Sequence, residues 1–312
     1  MKLGGMVLAQ LVACSKAKEP APATGSGSAA APPSAKEARA AYDAKQWARC
    51  AQLYTARAPH APEVERADAL YNAACCLALD GKRDAAFATL DRVAAAGFHA
   101  DKHLRADTDL AALHADPRWG KIVAAVEANA MAYESSLKEP ALRRELLALR
   151  DEDQAMRFAY EPGDAAGAER MRAIDAKTTA RMKEVIAKHG WPGKSLVGED
   201  AAHAAWLLVQ HADADRAFQK QCLALLDQAV KAGEASAIDY AYLYDRVAVG
   251  EDRLQRYGTQ FKYDQPHPIE DEANVDARRQ AIGLNTMAEY RKDMERMYGD
   301  LSPPGSGSGS AK

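Results

Sequence analysis

Polar side chains that could take part in catalysis or ligand binding are concentrated between positions 189 and 260, among strongly apolar sequence. Imidazoles, carboxylates, a guanidinium, a phenol and amides supply acid–base and anion-binding groups that could converge on one cleft. We therefore predict a ligand-binding set made of His189, His203, Gln210, His211, Asp213, Asp245, Arg246, Tyr257 and Gln260. The alternative is a hydrogen-bonded core that only fixes helix packing. No residue is assigned a catalytic role at this stage.

The element that must position much of this set is the stretch 201–212, which is apolar on every side of a helix. A helix that is hydrophobic all round is buried, and buried polar groups need partners. His203, Gln210 and His211 should therefore each find one. Gln210 falls almost over His203, while the rise from His203 to His211 is about 12 Å, too long for one shared metal ion.

Known catalytic motifs fail in this stretch. Gly193-Lys194-Ser195 lacks the earlier glycine of a phosphate loop, and zinc-protease, nucleophile-elbow and dinucleotide motifs do not occur. Outside the stretch, His99 and His103 have a spacing that can bind one metal, but no third ligand pattern accompanies them. The sequence predicts no cofactor and no metal site.

Helical periodicity continues on both sides of this stretch. His189 should end a helix, since Gly190 and Pro192 follow it, and Asp213 with Asp215 should start the next one. Asp245 and Arg246 are interpreted as members of structural ion pairs with other helices. The helices are predicted at 140–160, 168–189, 201–212, 214–232, 235–249, 275–283 and 286–298, with loops at 254–260 and 263–272.

An ordered series of motifs links these elements: HGWP, SLVG, AWLLVQHAD, QCLAL, AYLxDRV, YGTQ and VDxRR. The series resembles a bacterial domain family of unknown function that is often found in secreted or lipid-anchored proteins. The resemblance covers about residues 140–298 and implies one domain, which we place at 131–299. It implies no catalytic residue, because no activity is established for the family.

The region 36–130 has helical periodicity with small residues at regular positions. Leu70, Ala73, Ala74, Leu77, Gly81, Ala86, Leu90 and Val93 resemble a tetratricopeptide repeat. We expect an all-α protein in which tetratricopeptide-like repeats pack with a C-terminal helical domain. The resemblance implies a protein or peptide partner, since helical repeats build binding surfaces.

The cysteines of this region admit two interpretations. Cys50 and Cys76 lie on helices that should pack together, so a disulfide could join them in an oxidising compartment. We favour the alternative, in which the cysteines are small buried residues at helix crossings.

The ends of the chain predict its location. Lys2 and a short apolar run precede Leu11-Val12-Ala13-Cys14, which resembles the bacterial lipobox, so residues 1–13 should be a signal peptide and Cys14 the lipidation site. Residues 14–35 should form a flexible tether and residues 300–312 a disordered tail. Ser15 is typical of outer-membrane sorting, with the protein facing the periplasm or the cell surface. The net charge of −3 and the absence of a basic stripe argue against nucleic acid as a partner.

Two classes of function follow. The first is a cell-envelope lipoprotein that acts as a protein or peptide interaction module, with a polar ligand site in the C-terminal domain. The alternative is a hydrolase-like enzyme that uses the histidine, aspartate, arginine and tyrosine cluster. Convergence around an open pocket favours an enzyme or a ligand-binding site, whereas burial with mutual partners and no cavity argues against both.

Overall fold

The computed structural model describes residues 31–161, 163–262 and 265–298. The predicted signal peptide, Cys14, most of the tether and the 300–312 tail lie outside these residues. Between its turns and loops the described chain is helical, with one pair of two-residue strands and one isolated bridge between Gln255 and Ile269, which confirms the predicted all-α class. No helix among these residues has the length and apolar character that a membrane span requires.

The chain divides into two compact units, one that ends at Ser136 and one that begins at Leu137. The helices of the first unit are α1 (Ala35–Asp43), α2 (Trp47–Arg57), α3 (Glu63–Leu79), α4 (Arg83–Ala95), α5 (Asp101–Ala106) and α6 (Trp119–Ser136). Short 3₁₀ turns occupy Ala58–His60 and Thr108–Leu113.

Small side chains allow close helix contact in the first unit. Helices α1 to α4 pack each on the next in chain order. Ala38, Ala73 and Cys76 are fully buried where α1, α2 and α3 meet. Cys50 and Cys76 form a disulfide, with their Cα atoms 5.9 Å apart. Our preference for unbridged cysteines was therefore wrong for this pair, because the helix crossing brings the two side chains directly together.

The second unit contains α7 (Pro140–Phe158), α8 (Ala165–His189), α9 (Lys194–Val197), α10 (Glu199–Gln210), α11 (Arg216–Lys231), α12 (Ala237–Gly250), α13 (Val275–Ala281) and α14 (Met287–Tyr298). Strands β1 (Phe261–Lys262) and β2 (Gln265–Pro266) pair antiparallel, with Phe261 opposite Pro266. This small hairpin lies in a region for which the sequence predicted only irregular structure.

Helix α10 is the centre of this unit, as its composition predicted. Its side chains are buried almost throughout, with Trp206 and Leu208 fully inaccessible. Helices α7, α8, α11 and α12 contact it. Arg143 bonds Asp200 near the starts of α7 and α10, and Asp153 bonds His211 at their far ends, so these two helices run parallel.

The sequence predicted that Asp213 and Asp215 would both lie at the start of a helix, and the structure confirms this for Asp215 alone. Asp215 is the N-cap of α11, and its carboxylate accepts from the backbone N–H of Phe218 at 3.0 Å. Asp213 does not start the helix, since its carboxylate faces the Arg246 guanidinium instead. His189 is the last residue of α8, where the sequence placed it.

Candidate functional site: two histidine–aspartate pairs and a clamped loop

The nine predicted site residues do not converge on one pocket. His203 lies at one end of α10, and His211, Asp213 and Arg246 lie at the other end. Asp245, Tyr257 and Gln260 belong to a separate loop region. The structure therefore divides seven of the nine residues into three groups, each with its own partners, and places His189 and Gln210 in none of them.

The first group is a histidine–aspartate pair between α10 and α12. The Nδ1 atom of His203 lies 3.1 Å from both carboxylate oxygens of Asp239, and Asp239 is buried. The His203 side chain keeps 38% of its surface exposed. Its ring stacks on the Trp206 indole at a centroid distance of 4.8 Å. The imidazole is thus held by a buried carboxylate and an aromatic face while it remains open to solvent.

This arrangement defines the chemistry that His203 can perform. Burial raises the pKa of Asp239, and the hydrogen bond and charge of His203 oppose that rise. A carboxylate on Nδ1 selects the tautomer with its proton on that nitrogen, which leaves Nε2 as a proton acceptor. No described residue bonds Nε2. The same Nδ1-to-carboxylate arrangement orients the base in hydrolytic triads.

Two polar atoms one helical turn apart continue the same face of α10. Trp206 Nε1 and Gln210 Oε1 are buried and have no hydrogen-bond partner among the described residues. The prediction that Gln210 would find a side-chain partner is therefore not met at Oε1. Buried polar groups in this state are often satisfied by an internal water, which makes two to four hydrogen bonds.

The second group is a buried histidine–aspartate pair between α10 and α7. His211 Nδ1 lies 3.0 Å from Asp153 Oδ2, and the two side chains are 5% and 0% exposed. Arg157, one helical turn after Asp153, donates to the same carboxylate at 3.0 Å. Burial alone would raise the pKa of Asp153, but His211 and Arg157 lower it to about 2. Burial lowers the pKa of His211, so a neutral ring donates its Nδ1 proton to an ionised Asp153.

Further charges surround this pair. Arg157 also bonds Asp175 of α8, and Arg246 bonds Asp213 through Nε at 2.9 Å. Burial raises the pKa of Asp175 to about 6 despite the charge of Arg157. Partial burial would raise the pKa of Asp213, but Arg246 reverses the direction and lowers it. Each described carboxylate here has a guanidinium partner, so this network holds α7, α8, α10 and α12 together.

The same network contains residues that could bind a metal ion, but a guanidinium already occupies the position beside their carboxylates. One ligand atom each of Asp153, Asp175 and His211 lies within 4.8 Å of the others. The Arg157 guanidinium already contacts both carboxylates, which places a fixed positive charge where a cation would bind. The residues present therefore suit an ion-pair network better than a metal.

The third group builds a rigid loop at residues 255–260. Asp245 is fully buried and accepts from the backbone N–H groups of Arg256, Tyr257 and Thr259 at 2.7 to 3.1 Å. The Thr259 hydroxyl adds a fourth bond at 3.0 Å. The predicted ion pair of Asp245 with another helix was wrong, because backbone donors satisfy its charge. Burial raises the pKa of Asp245 and these hydrogen bonds oppose the rise.

Arg279 holds the same loop from its carbonyl side. This fully buried guanidinium donates to the carbonyl of Tyr257 at 2.6 Å and packs over the Tyr290 ring at 4.8 Å. Gly258 adopts φ +66°, and a Cβ there would come within 2.6 Å of Met287 Sδ. Only glycine fits this backbone, which explains the YGTQ motif in physical terms.

Gln260 and Tyr257 therefore contribute mainly to the loop. The backbone N–H of Gln260 donates to Gln255 Oε1 at 2.9 Å, and its side-chain amide donates to the Thr259 hydroxyl at 3.1 Å. The Tyr257 ring packs edge-on against Tyr244 at 6.2 Å. Both side chains remain half-buried, so they line the surface of a rigid loop rather than a cleft shared with the histidines.

The HGWPG motif forms the turn after α8 and docks on Glu234. The backbone N–H of Lys194 donates to the Glu234 carbonyl at 2.9 Å, and that of Ser195 donates to its carboxylate at 2.8 Å. A Cβ on Gly193 would lie 2.7 Å from Glu234 Oε2, so this contact requires glycine. His189 is half-buried at the start of this turn and lies in none of the three groups.

Sequence reasoning missed the partners that define each group: Asp153, Asp239 and Arg279. Asp153 carried a usable signal, because it occupies the apolar face of α7 in register with Leu142 and Leu146. A carboxylate in such a position requires a buried partner. Asp239 gave no comparable signal, since acidic residues are ordinary in the first turn of a helix.

Comparisons with known proteins give one match. A family model described as a family of unknown function, DUF6624, matches residues 140–301. No curated protein matches the chain. No solved structure matches it either.

Proposed function

We propose, for a chain that belongs to the DUF6624 family of unknown function, the role of a cell-envelope interaction lipoprotein. In this proposal Cys14 carries the lipid anchor and residues 14–35 form the tether. The helical unit before Leu137 binds a protein or peptide, and the C-terminal domain carries a polar ligand site at His203. The family itself contributes no activity, so the proposal rests on the residues of this chain.

The Cys50–Cys76 disulfide supports the envelope location. Disulfides persist in oxidising compartments such as the periplasm and cell surface, and they are rare in the cytosol. The signal-like segment and the lipobox-like Cys14 independently favour the same location, the cell envelope.

The observation that carries the ligand site is the state of His203. Its ring is fixed by Asp239 and Trp206, yet 38% of the side chain is exposed. The other predicted histidine of α10 is buried and bonded within the ion-pair network. A preorganised, accessible imidazole is a suitable donor or acceptor for a ligand, because no ordering cost remains when it binds.

The anchor is tested by metabolic labelling of the full chain with an alkyne fatty acid in a bacterial host. We expect label on the membrane-bound wild-type chain and its loss, with release from the membrane, in Cys14→Ala. Label that persists in Cys14→Ala would contradict the anchor.

The interaction role is tested by photo-crosslinking in the envelope. A photoreactive amino acid replaces an exposed alanine, either Ala40 of α1 or Ala88 of α4, with exposed Ala187 of α8 as the matched control. We expect a discrete crosslinked product from Ala40 or Ala88 and none from Ala187. Equal products at all three positions, or none at any, would contradict a specific binding surface in the first unit.

The second candidate is acid–base catalysis, and the His203–Asp239 pair is what favours it. With Nδ1 held by a buried carboxylate, Nε2 is positioned to accept a proton from water or a hydroxyl. The test is hydrolysis of a panel of ester and peptide substrates by the full chain. Loss of any activity in His203→Gln, with retention in Lys188→Gln, an exposed cation of α8, supports catalysis. Activity that survives His203→Gln excludes it.

A further inference from the structure

A second set of chemically reactive side chains belongs to the first unit. Cys75 belongs to α3, Asp107 follows α5, and Asp109 lies in the 3₁₀ turn Thr108–Leu113. The Sγ of Cys75 and one carboxylate oxygen each of Asp107 and Asp109 all lie within 4.8 Å of one another. Three donors, one from α3 and two from the start of the 3₁₀ turn, thus lie close together.

His103 lies beside this group, next to Asp107, although its ring nitrogens are not among the donor atoms that all lie within 4.8 Å of one another. Its Nε2 lies 3.7 Å from Asp107 Oδ2, and Cys75 Sγ lies 3.6 Å from that same oxygen. Zinc bonds of about 2.0 to 2.3 Å in a tetrahedron require donor atoms roughly 3.3 to 3.8 Å apart. Both measured separations fall in this range. We propose that Cys75, Asp107 and Asp109 form a zinc-binding site to which His103, beside Asp107, contributes the fourth ligand.

Charge balance supports a cation at this point. Among the described residues, no lysine or arginine forms an ion pair with Asp107 or Asp109. Their carboxylates instead accept from two neutral phenols, Tyr71 to Asp107 at 2.6 Å and Tyr42 to Asp109 at 2.7 Å. Such outer hydrogen bonds orient carboxylate ligands without neutralising them. The Asp153 set described above differs, because Arg157 supplies its positive charge.

The donor types select the metal. A thiolate and an imidazole beside carboxylates suit zinc, whereas calcium and magnesium require oxygen ligands throughout. On binding, the S–H bond of Cys75 is replaced by an S–Zn bond, and the proton leaves to solvent. Cys75 is buried, but His103 is 63% exposed, so the ion has an approach from the His103 side.

This geometry also explains why spacing alone did not reveal the site. The sequence pairs His99 with His103, yet His99 stacks on Tyr133 at 3.9 Å and its Nδ1 lies 3.2 Å from the Gly97 carbonyl. His103 turns toward Asp107 instead. The further ligands come from α3 and the 3₁₀ turn, which the four-residue spacing of two histidines does not indicate.

The test uses the full chain with Cys14→Ala, loaded with zinc chloride, dialysed and analysed for metal content. We expect about one zinc ion per chain, and cobalt in its place should show a thiolate-to-cobalt charge-transfer band. Cys75→Ser should abolish that band, and His103→Gln, at an exposed position, should weaken zinc binding at least tenfold.

Two control variants test whether the zinc binds at the proposed site and not elsewhere in the chain. Asp175→Asn removes a carboxylate from the Arg157 network, and Cys222→Ser removes the buried thiol of α11; neither should change the metal content. Zinc binding that survives both Cys75→Ser and His103→Gln, or cobalt binding without the thiolate band, would overturn the proposal. So would a wild-type chain that retains no zinc. None of these outcomes bears on the envelope role, which is measured separately.

Discussion

His211 donates its Nδ1 proton to Asp153 across 3.0 Å in an interior where neither side chain exceeds 5% exposure. The bond joins α10 to α7 over 58 positions of sequence. Eight residues earlier on α10, His203 makes a bond of the same type to Asp239 with much greater solvent access. One helix thus carries a buried histidine–aspartate pair and a solvent-accessible one, so substitution and modification should affect the two differently.

Asp153→Asn should strongly destabilise the second unit. It removes the negative charge that Arg157 and His211 face, and loss of one partner from a buried ionic group costs about 3 to 5 kcal/mol. Urea denaturation measures the change. The matched control is Asp151→Asn, which removes an exposed carboxylate from the same helix and should cost less than about 1 kcal/mol. Equal losses in the two variants would contradict the structural role of Asp153.

Asp175→Asn should change the pH dependence of stability. The folded-state pKa of about 6 lies above the unfolded value of about 3.9, so folding disfavours the ionised carboxylate. The contribution of Asp175 is complete below about pH 4 and is lost as the pH rises through about 6. Between about pH 4.5 and 7.5 the wild type should therefore lose on the order of 2 kcal/mol relative to Asp175→Asn.

The control for that measurement is Glu152→Gln. Glu152 pairs with Lys177 across α7 and α8 and is 44% exposed. Its removal should leave the pH slope of the wild type nearly unchanged. A parallel pH profile for Asp175→Asn and the wild type would show that Asp175 has no raised pKa in the fold.

Diethyl pyrocarbonate should modify His203 and spare His211 in the native chain. Reaction needs an accessible ring nitrogen, and the two side chains are 38% and 5% exposed. Peptide mass spectrometry after brief treatment measures both positions in one sample. In urea the two should react alike. Native modification of His211 at the rate of His203 would contradict the distinction drawn between the pairs.

Asp245→Asn should loosen the loop at 255–260. Its carboxylate accepts from the amides of Arg256, Tyr257 and Thr259, and hydrogen bonds to a charged group contribute about 1.5 to 3 kcal/mol each. Hydrogen exchange at these amides should accelerate at least tenfold. Asp252→Asn, at an exposed turn with φ +55°, is the control and should leave their exchange unchanged.

Loss of the Cys50–Cys76 disulfide should destabilise the first unit. The bond closes a loop with a sequence separation of 26, and the loop-entropy model gives about 3.5 kcal/mol for that length. Denaturation of the wild type with and without reductant measures the loss. The Cys50→Ala, Cys76→Ala double variant should have the free energy of unfolding of the reduced wild type, and reductant should not change that value. Reductant sensitivity in that variant would indicate a different source of stability.

The sequence predicted helix positions well because their signals are local. Gly190 and Pro192 ended α8 at His189, and the apolar sides of 201–212 identified the buried α10. The outer boundaries differ by a few residues, since capping depends on side-chain contacts such as that of Asp215 with Phe218.

The site could not be predicted to the same degree, because periodicity gives the face of a helix and not the residue opposite it. His203 and Asp239 are 36 positions apart, and the loop clamp joins Asp245 to a turn that begins 11 residues later. The predicted set therefore contained one member of each bonded group and mostly lacked the partner. Two bonds are the exceptions, because both of their members belong to the set: Asp213 with Arg246, and Asp245 with the backbone of Tyr257.

The Cys50–Cys76 bond also has a mechanical consequence. A pull on the chain ahead of α1 can unwind α1 and the residues that follow it, but the covalent bond to α3 stops extension at Cys50. The chain between the two cysteines, with a sequence separation of 26 and ~3.4 Å per residue, amounts to roughly 90 Å that tension cannot release. A load on the N-terminal side would thus pass from Cys50 of α2 straight to Cys76 of α3, and the chain between them would not be extended.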